Sequence, residues 1–519
     1  MLPVLGPSAI RDADAWTMEH EPISSLDLME RASRRCVARI VEMLEEHCFG
    51  DPLKVGFLVL AGMGNNGGDG LAIARMLHGA GMRVRVVRVM HKPVASAENE
   101  TNLERAISSG VAVVSLLEHA ELPRVEPNEV IIDALFGSGL HERVTGWIAS
   151  LIDHVNASGA SVVAIDMPSG LFAEPEEGSE PGAIMRANRT LTLEVPKLAF
   201  FFAENAANVG IWEVLPIELD PQFVAKQPTD HHLLEEQDAV GLLRSRPLFA
   251  HKGTFGHALL IAGSQGKMGA AVLTTRSALR SGVGLVTARV PAQERAVLQA
   301  AAPEAMCSVD REVGEGIGSL PDLSPYSAIG IGPGLGAEAD TALILKNLIR
   351  SVMISCVIDA DALNILAQNP TWLSFLPQGA ILTPHPKEFD RLAGVESKTG
   401  HERLQRARGL AIRSRCHLVL KGAWTAICDP SGHVLFNPTG NPGMAKGGSG
   451  DVLTGLLTGL LAQGYAPKEA CILGVYLHGL AGDIAAERMG MDGMTAGDLA
   501  DAIPTAWRRL RKGSDQVGG

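Results

Sequence analysis

The sequence predicts two consecutive α/β domains, each a mostly parallel sheet with helices on both faces. Three observations predict this. The chain has 519 residues, more than one ordinary core supports. Short apolar strands alternate with helix-spaced segments over most of its length. The alternation fails in the polar stretch from Glu218 to Asp230, where Asp220-Pro221 and Gln227-Pro228-Thr229-Asp230 are turn formers. The expected domains are therefore residues 1–220 and 232–512.

The elements follow in order. Ser24–Leu44 reads as one or two helices, with Ser24 or Ser25 as N-cap. Lys54–Leu60 is a compact apolar strand, Leu71–Gly79 a helix and Arg83–Val89 an alternating strand. Val130–Ala134, Val162–Ile165 and Thr190–Val195 are further strands. After the boundary, His257–Ala262 is a strand and Gly269–Ser281 a helix. Gly284–Val290, Ala328–Gly332, Cys356–Asp359, Ala380–Thr383 and His417–Lys421 are strands. From Asp451 to about Lys512 the pattern is mostly helical, and Gly513–Gly519 is expected to fray.

Composition bounds the function. A hydrophobic share of 46% with 20% charged residues is that of a globular protein. The formal net charge of −13, with no long basic run, argues against nucleic acid and anionic membranes as partners. Anionic ligands must then be held by backbone amides and a few placed lysines. The seven cysteines, Cys36, Cys48, Cys307, Cys356, Cys416, Cys428 and Cys471, are odd in number and include no CxxC pair, which suits a reducing compartment. Met1–Trp16 lacks the pattern of a signal peptide, and no apolar run is expected to span a membrane, so the expectation is cytoplasmic.

In the first half, Gly62-Met63-Gly64-Asn65-Asn66-Gly67-Gly68-Asp69-Gly70 follows a strand and opens a helix. Such a loop lets backbone approach an anion at a helix N-terminus. Alone, GxGxxG is a weak signal, and the following strand ends at Met90-His91-Lys92, without the ribose-binding acid of a dehydrogenase. Two more strand ends, Asp133–Leu140 and Asp166–Gly170, add Asp, Ser and Gly at the same sheet edge. Hard oxygen donors without Cys or His suit an alkali or alkaline-earth cation rather than zinc. The structural alternative is that Asp133 and Asp166 cap following helices.

These three loops resemble the NAD(P)H-hydrate epimerase family over about residues 1–219. The resemblance implies a Rossmann-like doubly wound sheet. It implies hydrated-nucleotide contacts at Asn65, Asn66, Gly67, Gly68 and Asp69, at Gly137, Ser138, Gly139, Leu140, His141, Glu142 and Arg143, and at Asp166. It also implies a potassium ion at Asn66, Asp133 and Ser169. The implied reaction inverts the hydroxyl-bearing carbon of the nicotinamide ring, with Asp166 as acid–base group. Lys197 resembles a recurrent lysine of the family. Ser33 and Glu194 depart from the family's usual Gly and apolar residue.

In the second half, Asn441–Gly455 runs a glycine-rich loop straight into a helix, with Asp451 in its first turn. Free amides and the helix dipole suit a phosphate, and a carboxylate there suits a general base. Helix capping is the bland alternative for Asp451. GxxxxGK[ST] is absent. Gly447–Asp451 resembles instead the ribokinase-like fold. Together with His251-Lys252-Gly253, Gly332–Gly336, Asp359–Leu363, His385–Glu388 and Lys421–Thr425, it resembles the NAD(P)H-hydrate dehydratase family over about residues 232–511. The resemblance implies that Ala270, Gly334, His385 and Asp451 face the hydrate. Lys421, Gly422, Ala423, Trp424, Thr425 and Gly450 would face the nucleotide, ADP or ATP, with ADP favoured. Glu388 is a candidate for holding magnesium (Mg2+) through water. Lys446 stands where many members carry Thr, an extra cation beside the loop. The rival expectation is a ribokinase-like kinase of vitamin or pyrimidine alcohols with a nucleotide-binding N-terminal module. A homo-oligomer is expected, without residue-level support.

Overall fold

The computed structural model describes every residue except 47, 50–53, 175–181, 310–316, 318 and 518–519. It divides into two compact units, Leu2–Thr229 and Asp230–Gly519 with Met1. In the first unit, seven strands form one sheet: β1 (Gly56–Ala61), β2 (Arg83–Val89), β3 (Ala112–Leu116), β4 (Glu129–Ala134), β5 (Ser161–Ile165), β6 (Arg189–Leu193) and β7 (Ile211–Leu215). Their order is β3-β2-β1-β4-β5-β6-β7, all parallel. Every residue of β1 is buried, which is why this central strand reads as an unbroken apolar run. The edge strands β3 and β7 are half exposed and mixed in composition, so the sequence reading missed them.

Helices α1 (Pro7–His20), α2 (Ser25–Glu45), α3 (Asn65–Gly79), α4 (Ala97–Ser108) and α5 (Gly146–Ala157) accompany this sheet. Ser24 caps α2 by accepting the Asp27 amide at 3.1 Å. Helix α3 starts at Asn65 rather than at Leu71, because its first turn packs by backbone. A Cβ at Gly67 would lie 2.0 Å from the Gly62 carbonyl oxygen. Chain connections leave β1 and β4 in opposite directions, which opens a crevice at their carboxyl ends. The expected turn at Asp220-Pro221 is a cap: the Asp220 carboxylate accepts the Gln222 and Phe223 amides at 2.9 Å and starts a short helix. Phe223 stacks on Trp16 of α1 with centroids 4.6 Å apart, so this segment packs with the first unit.

The second unit contains β8 (His231–Leu233), β9 (His257–Ile261), β10 (Leu285–Val290), β11 (Met306–Val309), β12 (Ala328–Ile331), β13 (Ser355–Ile358), β14 (Ile381–Leu382), β15 (His417–Leu420), β16 (Ala426–Cys428) and β17 (Val434–Phe436). They lie in the order β8-β17-β16-β15-β14-β13-β12-β9-β10-β11. Strands from β9 to β15 pair in parallel, and β15, β16 and β17 form an antiparallel meander. The switch point lies between β9 and β12. Helices α6 (Met268–Arg280), α7 (Ala360–Gln368), α8 (Pro386–Ala393), α9 (Ser449–Ala462), α10 (Pro467–Met489) and α11 (Ala496–Val517) carry or support the site. Helix α11 runs to Val517, past the expected fraying point.

Helix α9 lies unusually close to α6. A Cβ on Gly455 would stand 2.0 Å from the Thr274 carbonyl oxygen, and one on Gly459 2.0 Å from the Ser281 hydroxyl. The expectation that no apolar run could span a membrane meets one exception. The 23 residues of α10 pass on length and mean hydropathy, but 78% of the apolar window is buried inside the unit. Burial in this core is why the helix is apolar on all sides.

Candidate active sites

In the first unit, the loops after β1, β4 and β5 meet at a cavity of about 400 Å³. Asn65, Asn66, Asp69, Gly137, Ser138, Gly139, Leu140 and Asp166 line it. Gly67 and Gly68 do not, because they turn inward against the Gly62 carbonyl and the Met29 sulfur. His141, Glu142 and Arg143 are exposed and stand outside the wall. The sequence reading missed Arg11 and Asp14 of α1, which also line the cavity.

Asp166 sits at φ +64°, a left-handed conformation that costs a non-glycine residue energy and recurs at functional sites. No helix follows it directly, so it caps nothing. Lys197, fully buried, donates to its Oδ1 at 2.5 Å. The amide of Leu193 reaches Oδ1 and that of Ser138 reaches Oδ2, both at 3.3 Å. Burial opposes ionisation, yet the Lys197 charge and hydrogen bond outweigh it and hold Asp166 below the usual carboxylate range. Asp69 behaves oppositely: burial, then the charges of Asp166 and Asp14, push it far up. The two departures from the family pattern have structural uses. Ser33 packs against Asp69 and reaches its carbonyl oxygen at 3.4 Å, and the Glu194 carboxylate accepts the Ile217 amide at 2.7 Å.

Beneath the cavity wall, Asp133 is fully buried. Its Oδ1 accepts the Ser169 hydroxyl at 2.6 Å and its Oδ2 the Ser169 amide at 2.8 Å. Asn66 donates to the Phe136 carbonyl at 2.9 Å, and the Phe136 amide donates to Ser169 Oγ at 2.9 Å. Asn66 and Ser169 therefore both bond to Phe136, and Asp133 holds Ser169 in place. Burial pushes Asp133 up to about 6, with the Ser169 and Leu135 hydrogen bonds opposing it. No cationic side chain pairs with it among the described residues. A buried carboxylate with no cationic partner, next to the Ser169 hydroxyl and near the Phe136 carbonyl, is a hard-oxygen set that suits a monovalent cation.

In the second unit, Lys421 at the end of β15 is the hub. Its Nζ lies 3.0 Å from Asp359 Oδ1 and 3.8 Å from Glu388 Oε2. Thr454 of α9 donates to Asp359 Oδ2 at 2.7 Å. Burial works against the charge of Lys421, and Asp359 and Glu388 more than restore it. Gly450 lies against this pair: a Cβ there would be 3.2 Å from Lys421 Nζ. Gly448, at φ +97°, is the N-cap of α9 and makes no side-chain cap bond. Asp451 is thus free of the capping role. Burial, then the charge of Asp359, raise Asp451 to about 7; Lys421 opposes this and Asp361 adds to it.

His385 caps α8, accepting the Glu388 amide at 3.3 Å, while Glu388 accepts the His385 amide at 2.8 Å. Gly334 and Ala270 are neighbours, since a Cβ on Gly334 would approach that of Ala270 to 3.0 Å. Asp361 braces this wall, accepting the Gly336 amide at 2.8 Å and facing Lys267 Nζ at 3.4 Å. Gly422 and Ala423 form an exposed turn that Thr425 closes on Gly422 at 3.0 Å, and Trp424 is half-buried. Lys446 stands beside the glycine loop and is engaged by backbone. Its ammonium donates to the carbonyls of Met491, Asp492 and Met494 at 3.2, 2.6 and 2.6 Å, so it pins that turn. Asp359, legible only as part of a motif, is the buried centre of the site. A second cavity, about 300 Å³, opens at the amino edge of this sheet. There Arg246 donates to the Gly282 carbonyl and Arg244 reaches that of Gln463, at helix C-termini, a structural use.

Residues 25–199 match the family model described as YjeF-related protein N-terminus, and residues 258–505 that described as NAD(P)H-hydrate dehydratase. The chain is 38% identical to the bifunctional NAD(P)H-hydrate repair enzyme Nnr of Moorella thermoacetica, over 94% of each chain. It is 36% identical to that of Thermofilum pendens, over 98% of this chain and 97% of the relative. A Bacillus subtilis ADP/ATP-dependent NAD(P)H-hydrate dehydratase, co-crystallised with ATP/Mg2+, is 31% identical over 54% of this chain and 98% of its own, with a TM-score of 0.46.

Proposed function

The chain belongs to the family of bifunctional NAD(P)H-hydrate repair enzymes, and from that premise we propose which residues carry each half of the repair. The protein is an enzyme with two activities, epimerisation of hydrated NADH or NADPH and their nucleotide-dependent dehydration. The vitamin-kinase reading gives way to this one. We assign the epimerase to residues 1–220 and the dehydratase to residues 232–512. The observation that carries the assignment is a pair of aspartates, Asp166 and Asp451, each beside a glycine loop at the carboxyl edge of its own sheet.

In the epimerase, Asn65–Asp69 and Gly137–Leu140 hold the hydrate, with Gly67 and Gly68 acting through backbone only. Asp166 stays ionised and faces the ring carbon that becomes cationic when the hydroxyl leaves. Potassium at Asn66, Asp133 and Ser169 would neutralise the buried carboxylate and stiffen the Phe136 peptide beneath the cavity. The check is thermal unfolding in potassium against choline chloride: wild type gains stability in potassium, and Asp133→Asn does not.

In the dehydratase, Ala270, Gly334 and His385 contact the hydrate, and Lys421–Thr425 and Gly450 contact the nucleotide, which we take to be ADP. Asp451 removes the proton of the ring hydroxyl as its oxygen attacks the terminal phosphoryl group. Phosphate is a far better leaving group than hydroxide, and the ring nitrogen pushes it out to restore the dihydronicotinamide. Four carboxyl groups, Asp359, Asp361, Glu388 and Asp451, stand against the ammonium groups of Lys421 and Lys267 and the His385 ring, a negative surplus that fits a divalent cation arriving with the nucleotide. Magnesium held through Glu388 would supply charge neutralisation at the phosphates.

The test incubates the full chain with both epimers of hydrated NADPH, magnesium, and ADP or ATP, and follows reduced-nicotinamide absorbance. Recovery of both epimers with ADP supports the reading. No recovery with either nucleotide overturns it. A reducing cytoplasm is part of the reading, supported by the absence of any disulfide among the described cysteines. So is a homo-oligomer, for which the neighbouring Leu248 and Phe249, exposed at 91% and 94%, offer apolar surface; sedimentation checks it.

A further inference from the structure

Inversion at a hydroxyl-bearing carbon needs two proton events. The departing oxygen must gain a proton, and the water that returns on the other face must lose one. Asp166, held ionised by Lys197, is equipped for the second event only. The first needs a carboxyl group that still carries its proton.

Asp14 of α1 lines the same cavity as Asp166 and Asp69. It is half-buried, and no hydrogen bond or ion pair engages it among the described residues. The helix around it is fixed. Ala13 is buried, the Thr17 hydroxyl accepts the Asp220 amide at 3.0 Å, and Trp16 stacks on Phe223. The position of Asp14 is therefore set by its neighbours, while its own oxygens are left for something in the cavity.

We propose that Asp14 is the general acid of the epimerisation, protonating the ring hydroxyl as it leaves, while Asp166 takes the proton of the water that returns. The inference rests on the epimerase reading. The step balances. The ring-nitrogen lone pair forms the iminium bond as the C–O bond breaks, and the Asp14 proton goes out with the oxygen as water. Water then adds to the opposite face, the iminium electrons return to nitrogen, and the surplus proton passes to Asp166. One proton has moved from Asp14 to Asp166, and its return is downhill because Asp14 binds it more tightly.

The surrounding charges support this order. Burial, then the negative charge of Asp166, raise Asp14 to about 7; Lys197 opposes this and Glu194 adds to it. Arg11, His91 and Lys92 also line the cavity, and none pairs with Asp14. Asp69 also lines the cavity, and the charge of Asp14 is among the causes that push it up.

The experiment follows interconversion of separated epimers of hydrated NADPH by the full chain without nucleotide, from pH 5 to pH 9 (roughly two units either side of the Asp14 value). Wild type is expected to lose rate above about pH 7 as Asp14 ionises. Asp14→Asn should lower kcat by roughly 10²–10⁴-fold with little change in KM, and abolish that high-pH limb. Asp14→Glu, which keeps the carboxyl, should recover part of the rate and restore the limb. A merely structural role would raise KM or lower the unfolding temperature and leave the limb in place. Asp14→Asn with near wild-type kcat, or with the limb intact, overturns the proposal while the epimerase reading stands. A wild-type chain that never interconverts the epimers overturns the reading itself.

Discussion

Asp166 directly follows a strand of the first sheet, Asp451 lies in the first turn of helix α9, and the chain treats them in opposite ways. Asp166 receives its own buried lysine at 2.5 Å and is held ionised. Asp451 does not; the nearby Lys421 bonds to Asp359 instead, and Asp451 rises to about 7. The difference teaches what each site asks of its carboxylate. A site that passes through a ring cation gains from a carboxylate that is already ionised when the cation forms and takes a proton only briefly, from the returning water. A site whose base takes its proton next to a highly charged phosphate gains from one poised near neutrality.

The contrast is sharpened most by Asp451→Asn. Nucleotide-dependent recovery of the dihydronicotinamide should fall by roughly 10²–10⁴-fold, the usual worth of a general base, with epimer interconversion as before. Equal loss of both activities, read in the two assays on one preparation, would break the comparison. Lys197→Met tests the other side. It strands a buried carboxylate, so the first unit should lose about 3–5 kcal/mol in urea unfolding. A loss below about 1 kcal/mol, the worth of an exposed pair, would mean that Asp166 is not held by Lys197.

The pH dependence of stability should also differ in sign. Asp166 titrates below its unfolded value, so its contribution is present above that value and is lost as pH falls through the folded one. Asp451 titrates above its unfolded value, so its contribution is full below about 3.8 and is lost as pH rises toward about 7. Replacing Asp451 with Asn should therefore stabilise the second unit above neutrality by on the order of 1–3 kcal/mol, and hardly at all in acid. Denaturant midpoints across that range are the measurement. The smallest effect is expected of Lys446→Thr. Its ammonium holds carbonyls, so the nucleotide KM should move by less than about threefold while stability drops by about 1 kcal/mol. A large KM change would return Lys446 to the phosphates.

Legibility in the sequence followed burial. Strands β1, β4 and β5 are apolar throughout or nearly so, and their extents were readable to within a residue or two. The half-exposed edge strands β3 and β7, and the β16–β17 hairpin, offered too short or too mixed a pattern. The glycine loops announced both sites because close backbone approach leaves a composition signal. Asp14 left none. It lies on a helix with several polar neighbours, and long-range packing of Ala13, Trp16 and Thr17 brings α1 to the cavity. Asp359 was visible within a motif, but its ties to Lys421 and Thr454 span 62 and 95 residues of chain, which no local pattern encodes.

The near-contact of α6 and α9 has a consequence for tolerance. Helix α6 carries Ala270 near its start, and α9 carries Asp451 near its start. With Gly455 and Gly459 seated against Thr274 and Ser281, there is no room for a methyl group between them. The two helices must then fluctuate as one body, so wall and base keep their spacing through thermal motion. Precision at the reacting oxygen is thus set about one to three turns away, by hydrogen atoms where other helices carry side chains.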